Sequence, residues 1–217
     1  MPTLPLQLFK DTLLLIPCSA AKQRGSKPSK GVSILSMLDP DRASMLSNAR
    51  AALREKAKVD EKTLMPAYLR YSGELYQHGS AAIGRAVAAG QRVLIISGGY
   101  GLLLADEPIG MYEKRFVPSD WPDRLLEGCI LDYALHERVS SVVAIVSCTT
   151  NYAKLVRRVD WKGAGLVAKL LSPVIQGGGA MKKVPRAQGQ AVAALIDANL
   201  PQIWRSSDSL CLKVCEL

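Results

Sequence analysis

Val93 to Phe116 reads VLIISGGYGLLLADEPIGMYEKRF. The opening apolar run has the pattern of a strand buried on both faces, and Gly98 and Gly99 let the backbone turn sharply on leaving it. A turn at the carboxyl end of a strand is where open α/β sheets place their ligand chemistry. Behind the glycines stand Tyr100, Asp106, Glu107, Tyr112 and Glu113, a density of aromatic and acidic groups not met elsewhere in the chain. This stretch is read as a strand followed by a site-bearing loop.

The same pattern recurs outward in both directions. Thr12–Ile16 is a continuous apolar run ending in Pro17-Cys18-Ser19, Ser141–Ser147 is β-branched and ends in the polar Cys148–Tyr152, and Leu166–Leu171 is a fourth candidate strand. Helical spacing marks Asp41–Lys58, Leu75–Ala89, Trp121–Arg138, a segment after Asn151, and Ala187–Asn199. For the third of these, Pro122 falls in the first turn and Ser119 or Asp120 is the expected N-cap. Strand, polar loop and helix in alternation predict an α/β fold, three-layer α/β/α with a mainly parallel central sheet, as a single domain over residues 1–217. Leu200–Leu217 reads either as a last edge strand or as a docking segment.

Composition narrows the class. At 217 residues with 48% hydrophobic and only 6% aromatic content, the chain suits helices packed on a sheet. No apolar run reaches the roughly 18 residues of a membrane span, and the start MPTLPLQLFKD lacks a signal-peptide pattern, so a cytoplasmic protein without membrane contact is expected. Five cysteines without CxxC spacing, beside two histidines, predict no zinc site; Cys211 and Cys215 either pair, ligate or sit as small apolar residues. His78 has no second histidine or cysteine at ligand or triad spacing and is read as structural.

A net charge of +9 favours an anionic partner, with nucleic acid first among the candidates. The charge is concentrated: Ala144 to Gln190 holds eight Lys/Arg and the single acid Asp160. Lys22, Arg24, Lys27 and Lys30 crowd a Gly/Pro/Ser-rich loop after the first strand, which either embraces phosphate or is a solvated loop. Gly177–Gly179 followed by Lys182, Lys183 and Arg186 sets cations beside a helix start, a plausible phosphate clamp. Tyr68, Tyr71 and Tyr76 form either a stacking platform for bases or part of the core.

GxxxxGK[ST], GxGxxG, GxSxG and HExxH are all absent, which removes the main support for nucleotide hydrolysis, dinucleotide redox, serine-hydrolase and zincin readings. No cofactor is expected. The remaining polar loops, at Cys18–Lys30, Ser97–Glu113, Thr149–Tyr152 and Gln176–Arg186, would share one edge of a parallel sheet.

IPCSAAK after the first strand, PAYLRYSGELY, ISGGYGLLLADEPIGMYE and the basic turn before the last helix together resemble a group of unknown-function domains. That group includes the YaaA-type peroxide-stress proteins and is related to the uracil-DNA-glycosylase-like superfamily. The resemblance covers roughly residues 12 to 196, and the Tyr-Gly-Leu…Asp-Glu-Pro-Ile…Tyr block is its most specific part. It implies a uracil-DNA-glycosylase-like fold and similarity to anti-phage DNA glycosylases acting on modified cytosines. GQDPY after the first strand and HPSP near the end, the usual loops of uracil excision, are absent.

Breaking an N-glycosidic bond develops positive charge on the sugar and negative charge on the departing base. A carboxylate near C1′ and hydrogen-bond donors near the base would stabilise both. The expected catalytic residues are Asp106, Glu107 and Ser19, with Glu113 behind the two acids; in the other reading Asp106 and Glu107 cap and turn a loop before Pro108 while Tyr100 and Tyr112 fill core. Cys18, Tyr100, Tyr112 and Asn151 are expected to bind the base, and Lys22, Arg24, Lys182, Lys183 and Arg186 the DNA phosphates. Hydrolytic excision of a modified base, plausibly a glucosylated or hydroxymethylated cytosine of phage DNA, is the leading expectation. DNA is the expected partner, with no obligate protein partner. The alternatives are a non-enzymatic DNA-binding stress-protection protein and, third, a nucleoside or tRNA-base modifying enzyme.

Overall fold

A computed structural model describes residues 8–175, 177–197, 200–201 and 203–217. The first part of the leader, Gln176, and the end of the helix expected over Ala187–Asn199 fall outside these residues. In chain order the elements are β1 (Thr12–Pro17), α1 (Pro40–Leu53), β2 (Asp60–Pro66), α2 (Ala67–Arg70), α3 (Glu74–Ala88), β3 (Arg92–Ser97), β4 (Gly101–Leu104) and β5 (Pro108–Met111). There follow α4 (Leu125–His136), β6 (Ser141–Ile145), α5 (Asn151–Arg158), β7 (Val167–Val174), α6 (Ala180–Ile196) and β8 (Cys211–Glu216).

Six strands form one sheet in the order β4-β3-β1-β6-β7-β8. The inner four run parallel, and β4 and β8 close the edges antiparallel. Side chains of β1 alternate between the faces because successive Cβ atoms of a strand point oppositely. Leu13 and Leu15 enter one core with residues of α1, α4 and α5. Leu14 and Ile16 enter the other with residues of α2, α3 and α6. The result is helix, sheet, helix in three layers. The chain leaves β1 toward β3 on one side and reaches β6 on the other, so the crossover point of the sheet lies between β1 and β6.

Ser97–Phe116 departs most from the sequence reading. Leu102, Leu103 and Leu104 fold back on β3 as an edge strand, with Ser97 opposite Gly101 and Ile96 opposite Leu102. Residues beyond them pair as β5 with β2 in a separate two-stranded ribbon. The reason is steric permission at the turn. A Cβ on Gly98 would stand 2.2 Å from the Lys114 carbonyl oxygen, and one on Gly99 2.6 Å from the Tyr112 ring. The two glycines therefore let the returning chain lie directly on the hairpin.

Two helix starts also differ. α4 begins at Leu125 after Arg124 in the left-handed region, φ 58°, while Ser119 and Asp120 lie in a preceding 3-10 turn. Asp120 caps nothing because Lys56 and Lys114 hold its carboxylate. α6 begins at Ala180 rather than Ala187, with Pro185 inside it. Lys182, Lys183 and Arg186 thus sit on the helix itself rather than on a turn before it. At the tail, β8 pairs along β7 from Cys211–Val174 to Glu216–Lys169, which decides for the edge strand. Cys211 and Cys215 are both free thiols; four residues of strand put them about 13 Å apart.

Candidate active site

Burial, charge and hydroxyl chemistry converge at the carboxyl ends of β1, β3 and β6. Cys18 leaves β1 with its N–H bonded to the Ile96 carbonyl, 2.9 Å away. Beyond it Lys22 forms a bridge with Tyr71, and the Lys22 ammonium donates to the carbonyls of Ser19 and Ala20, each at 3.2 Å. That fold of the loop carries Nζ over the Tyr112 ring, 3.8 Å from its centroid. Burial holds the Lys22 amine below its ordinary pKa, against the opposing pull of Cys18 and Glu113.

Beneath the lysine lies a buried hydroxyl cluster. Tyr71 and Tyr112 share a hydrogen bond of 2.8 Å, and Ser97 Oγ reaches the Tyr112 hydroxyl at 3.0 Å. Ser97 Oγ also accepts from the N–H groups of Gly99 and Tyr100 at 3.3 and 3.1 Å, which locks the cluster to the β3–β4 turn. On the β6 side, Tyr152 places its hydroxyl 3.2 Å from Cys18 Sγ and stacks on Phe116. Burial raises the pKa values of Tyr71, Tyr112 and Tyr152, so these phenols remain neutral.

The cluster borders a cavity of about 320 Å³, whose wall includes Cys18, Ser19, Lys22, Tyr112, Glu113 and Tyr152. Lys114 and Arg115 complete its basic rim, with Lys114 engaged by Asp120. A second cavity of about 550 Å³ adjoins it and shares Cys18, Ser19, Ala20 and Tyr152. Both open at the sheet's crossover point, the location favoured for ligands in this architecture.

Of the residues singled out from sequence, Cys18, Ser19, Lys22, Tyr112 and Glu113 meet at this cavity. The others do not share it. Glu107 is 4% exposed, and its carboxylate accepts from Ser33 Oγ, Arg50, and the N–H groups of Ile34 and Leu104 at 2.9 to 3.2 Å. With its oxygens so occupied it pins the β4–β5 turn to α1, and it has no lone pair directed at a substrate. Asp106 sits on the same turn, packed against Gly31, its carbonyl accepting from Ser29. Tyr100 is buried in the core, with its hydroxyl between Glu61 and the Gly110 N–H. Asn151 donates to the Phe116 carbonyl at 3.2 Å and lines a different cavity, of about 740 Å³, beside Trp121. The expectation of one cavity holding Tyr100, Asp106, Glu107, Tyr112, Ser19 and Asn151 is therefore corrected. The β4 hairpin carries the acids and Tyr100 away from the crossover point.

The expected phosphate clamp is also changed. Arg186 is held by Glu74 at 2.9 Å and Asp208 at 3.3 Å, and Lys182 stands 3.7 Å from Glu74. Lys183 is exposed and folds back over Gly179. Arg24 is exposed on the Cys18 loop and has no carboxylate partner among the described residues. Sequence reasoning placed Ser97 and Tyr152 on the edge loops and Tyr71 in a stacking platform or the core, and gave none of them a role at the site. Their signal was position: Tyr152 follows β6 and Ser97 ends β3, both at the carboxyl edge.

No protein-family model and no curated protein matches the chain. Among the described residues no group of three or more His, Cys, Asp or Glu side chains is arranged to hold a metal ion, and no helix is long and apolar enough to cross a membrane.

Proposed function

We propose that the chain is a DNA N-glycosylase on a uracil-DNA-glycosylase-like fold, excising a modified base held in the cavity between Lys22, Tyr112 and Tyr152. The single observation that carries this reading is the half-buried Lys22 amine, 3.8 Å over the Tyr112 ring in a cavity of about 320 Å³ at the crossover point. A flipped base needs a flat wall to stack on, and its departure needs a positive group near the ring. Tyr152, half-buried on the cavity wall, supplies the first and Lys22 the second. The resemblance of IPCSAAK and the Tyr100–Tyr112 block to anti-phage glycosylases supports the same reading.

Asp106 and Glu107 take no part in the proposed chemistry. Glu113, on the cavity wall and paired with Lys58 at 3.0 Å, is the carboxylate that takes their role. Water attacks C1′ as the C1′–N bond breaks. The water proton passes to Glu113, and the departing base leaves against the Lys22 ammonium before it is protonated. Arg24 and Arg115 offset the unstacking of the flipped nucleotide through phosphate contacts.

The lowered pKa of Lys22 favours one second reading, in which the neutral amine displaces the base at C1′, one amine proton goes to the departing base, and the C1′–O4′ bond then opens as the imine forms, with O4′ taking the second proton. Mass spectrometry of bases released from natural and phage-modified DNAs tests the glycosylase. No release from any substrate that the protein binds would overturn it. Borohydride trapping of a protein–DNA adduct distinguishes the two routes.

A further inference from the structure

The larger of the two adjoining cavities contains the starts of three helices. Glu74 and Leu75 open α3, Thr150 caps α5, and Ala180 and Met181 open α6, all on the wall of one space of about 550 Å³. None of the three has a side-chain capping bond. Among the described residues the N–H groups of Glu74, Leu75, Ala180 and Met181 have no backbone acceptor. Helix starts carry partial positive charge and unfilled donors, and three converging on one cavity make it a place for an anion.

An independent observation points to the same space. Gln188 lines the cavity, is only 4% exposed, and its amide has no hydrogen-bond partner among the described residues. The only fully buried side-chain N or O atom without a partner among the described residues is Trp121 Nε1, so the Gln188 amide opens onto the cavity, where it offers a donor and an acceptor to a group that enters. Glu74 is the only carboxylate on the wall. Arg186 hydrogen-bonds it, with Lys182 behind, and together they hold it below the usual carboxylate range. Lys182, 69% exposed, stands 3.7 Å from Glu74 outside the wall.

We infer that this cavity is a phosphoryl site, with the Gln188 amide and the α3 and α6 N–H groups as its donors. The site stands on this geometry alone. Its assignment to a nucleotide whose base lies beside Lys22 rests on the glycosylase reading, since Cys18, Ser19 and Tyr152 border both spaces. The phosphoryl group belongs either to a free nucleoside 5′-monophosphate or to the backbone of a strand.

Calorimetric titration of the full chain with inorganic phosphate tests the site without reference to base release. Binding is expected, weakened at least about tenfold in Gln188→Glu, which sets a like charge against the anion. Gln188→Met, similar in length but without the amide, is the second variant and is expected to weaken binding in the same direction. A Lys62→Ala control, which removes an exposed cation on β2, should bind inorganic phosphate as the parent does. Absence of phosphate binding, or equal binding by parent and both Gln188 variants, overturns the proposal. Titration with a nucleoside 5′-monophosphate and with an oligonucleotide lacking terminal phosphates identifies the source: whichever loses affinity with Gln188→Glu occupies the site. Phosphate binding without base release from any DNA would leave this site standing and remove the glycosylase.

Discussion

Lys22 Nζ stands 3.8 Å from the centroid of the Tyr112 ring, although Lys22 follows β1 of the central sheet and Tyr112 follows β5 of the separate two-stranded ribbon. A cation over an aromatic face is attracted to its electron-rich centre, and burial strengthens that attraction. The same burial disfavours the charge, so the amine is both held in place and lowered in pKa.

Replacing Lys22 by Met keeps much of the stem and removes the charge. Base release should fall by about 10²- to 10⁴-fold, the usual range for loss of a catalytic proton or charge partner. Single-turnover rates on the substrate found by mass spectrometry measure this, and a change of under about tenfold would place Lys22 outside the chemistry.

The pH dependence has a defined sign. Because the folded-state pKa of Lys22 lies below its ordinary 10.5, the unfolded chain binds more protons between the two values. Lys22 therefore makes stability rise with pH across that window, and Lys22→Met should lose this contribution in denaturant titrations. Activity separates the two mechanisms in the same window. If the ammonium stabilises the departing base, the rate falls as Lys22 deprotonates, and Lys22→Arg lacks that descending limb. If the amine attacks C1′, the rate rises through the same pH range and Lys22→Arg is inactive.

Glu107→Gln should cost about 3–5 kcal/mol of stability, because Arg50 and its neighbours lose a buried charge partner. Activity per folded molecule should match the parent. Chemical denaturation paired with active-site titration checks both. A stable but inactive Glu107→Gln would return that carboxylate to the catalytic machinery.

Gly98→Ala sets a methyl 2.2 Å from the Lys114 carbonyl oxygen, a backbone atom that cannot swing aside. A loss of about 1–3 kcal/mol is expected, as for overpacked cores, together with impaired activity as the Tyr112 segment shifts. Thermal unfolding and base release, measured on the same preparation, report the two effects.

The hydroxyl cluster offers a milder change. Tyr112→Phe removes one hydroxyl and leaves Tyr71 and Ser97 each short of a partner, at a cost of about 1–3 kcal/mol. The ring remains beneath Lys22, so substrate binding should persist while Tm falls. Loss of binding with Tm unchanged would mean that the hydroxyl cluster positions Lys22 for the base.

The sequence by itself determined the layers. Apolar runs at Thr12, Val93, Ser141 and Leu166, separated by helical periodicity, predict parallel strands between helices because each pattern reports how many faces of an element are buried. It also determined that Cys18, Ser19 and Lys22 follow a strand and therefore lie at the ligand-binding edge. What only the tertiary structure decided was direction. Asp106 and Glu107 look like a catalytic pair in a string of letters, yet the hairpin through Leu102–Leu104 turns them toward Arg50 and Gly31. Arg186 looks like a free cation until Glu74 and Asp208, each far away in the chain, close on it. Strand pairing and ion pairing join residues distant in sequence, and local periodicity contains no term for either. The site at Lys22 and Tyr112 was legible as a place on the sheet, while its acids, its tyrosine floor and its neighbouring cavity came from contacts made only in the folded chain.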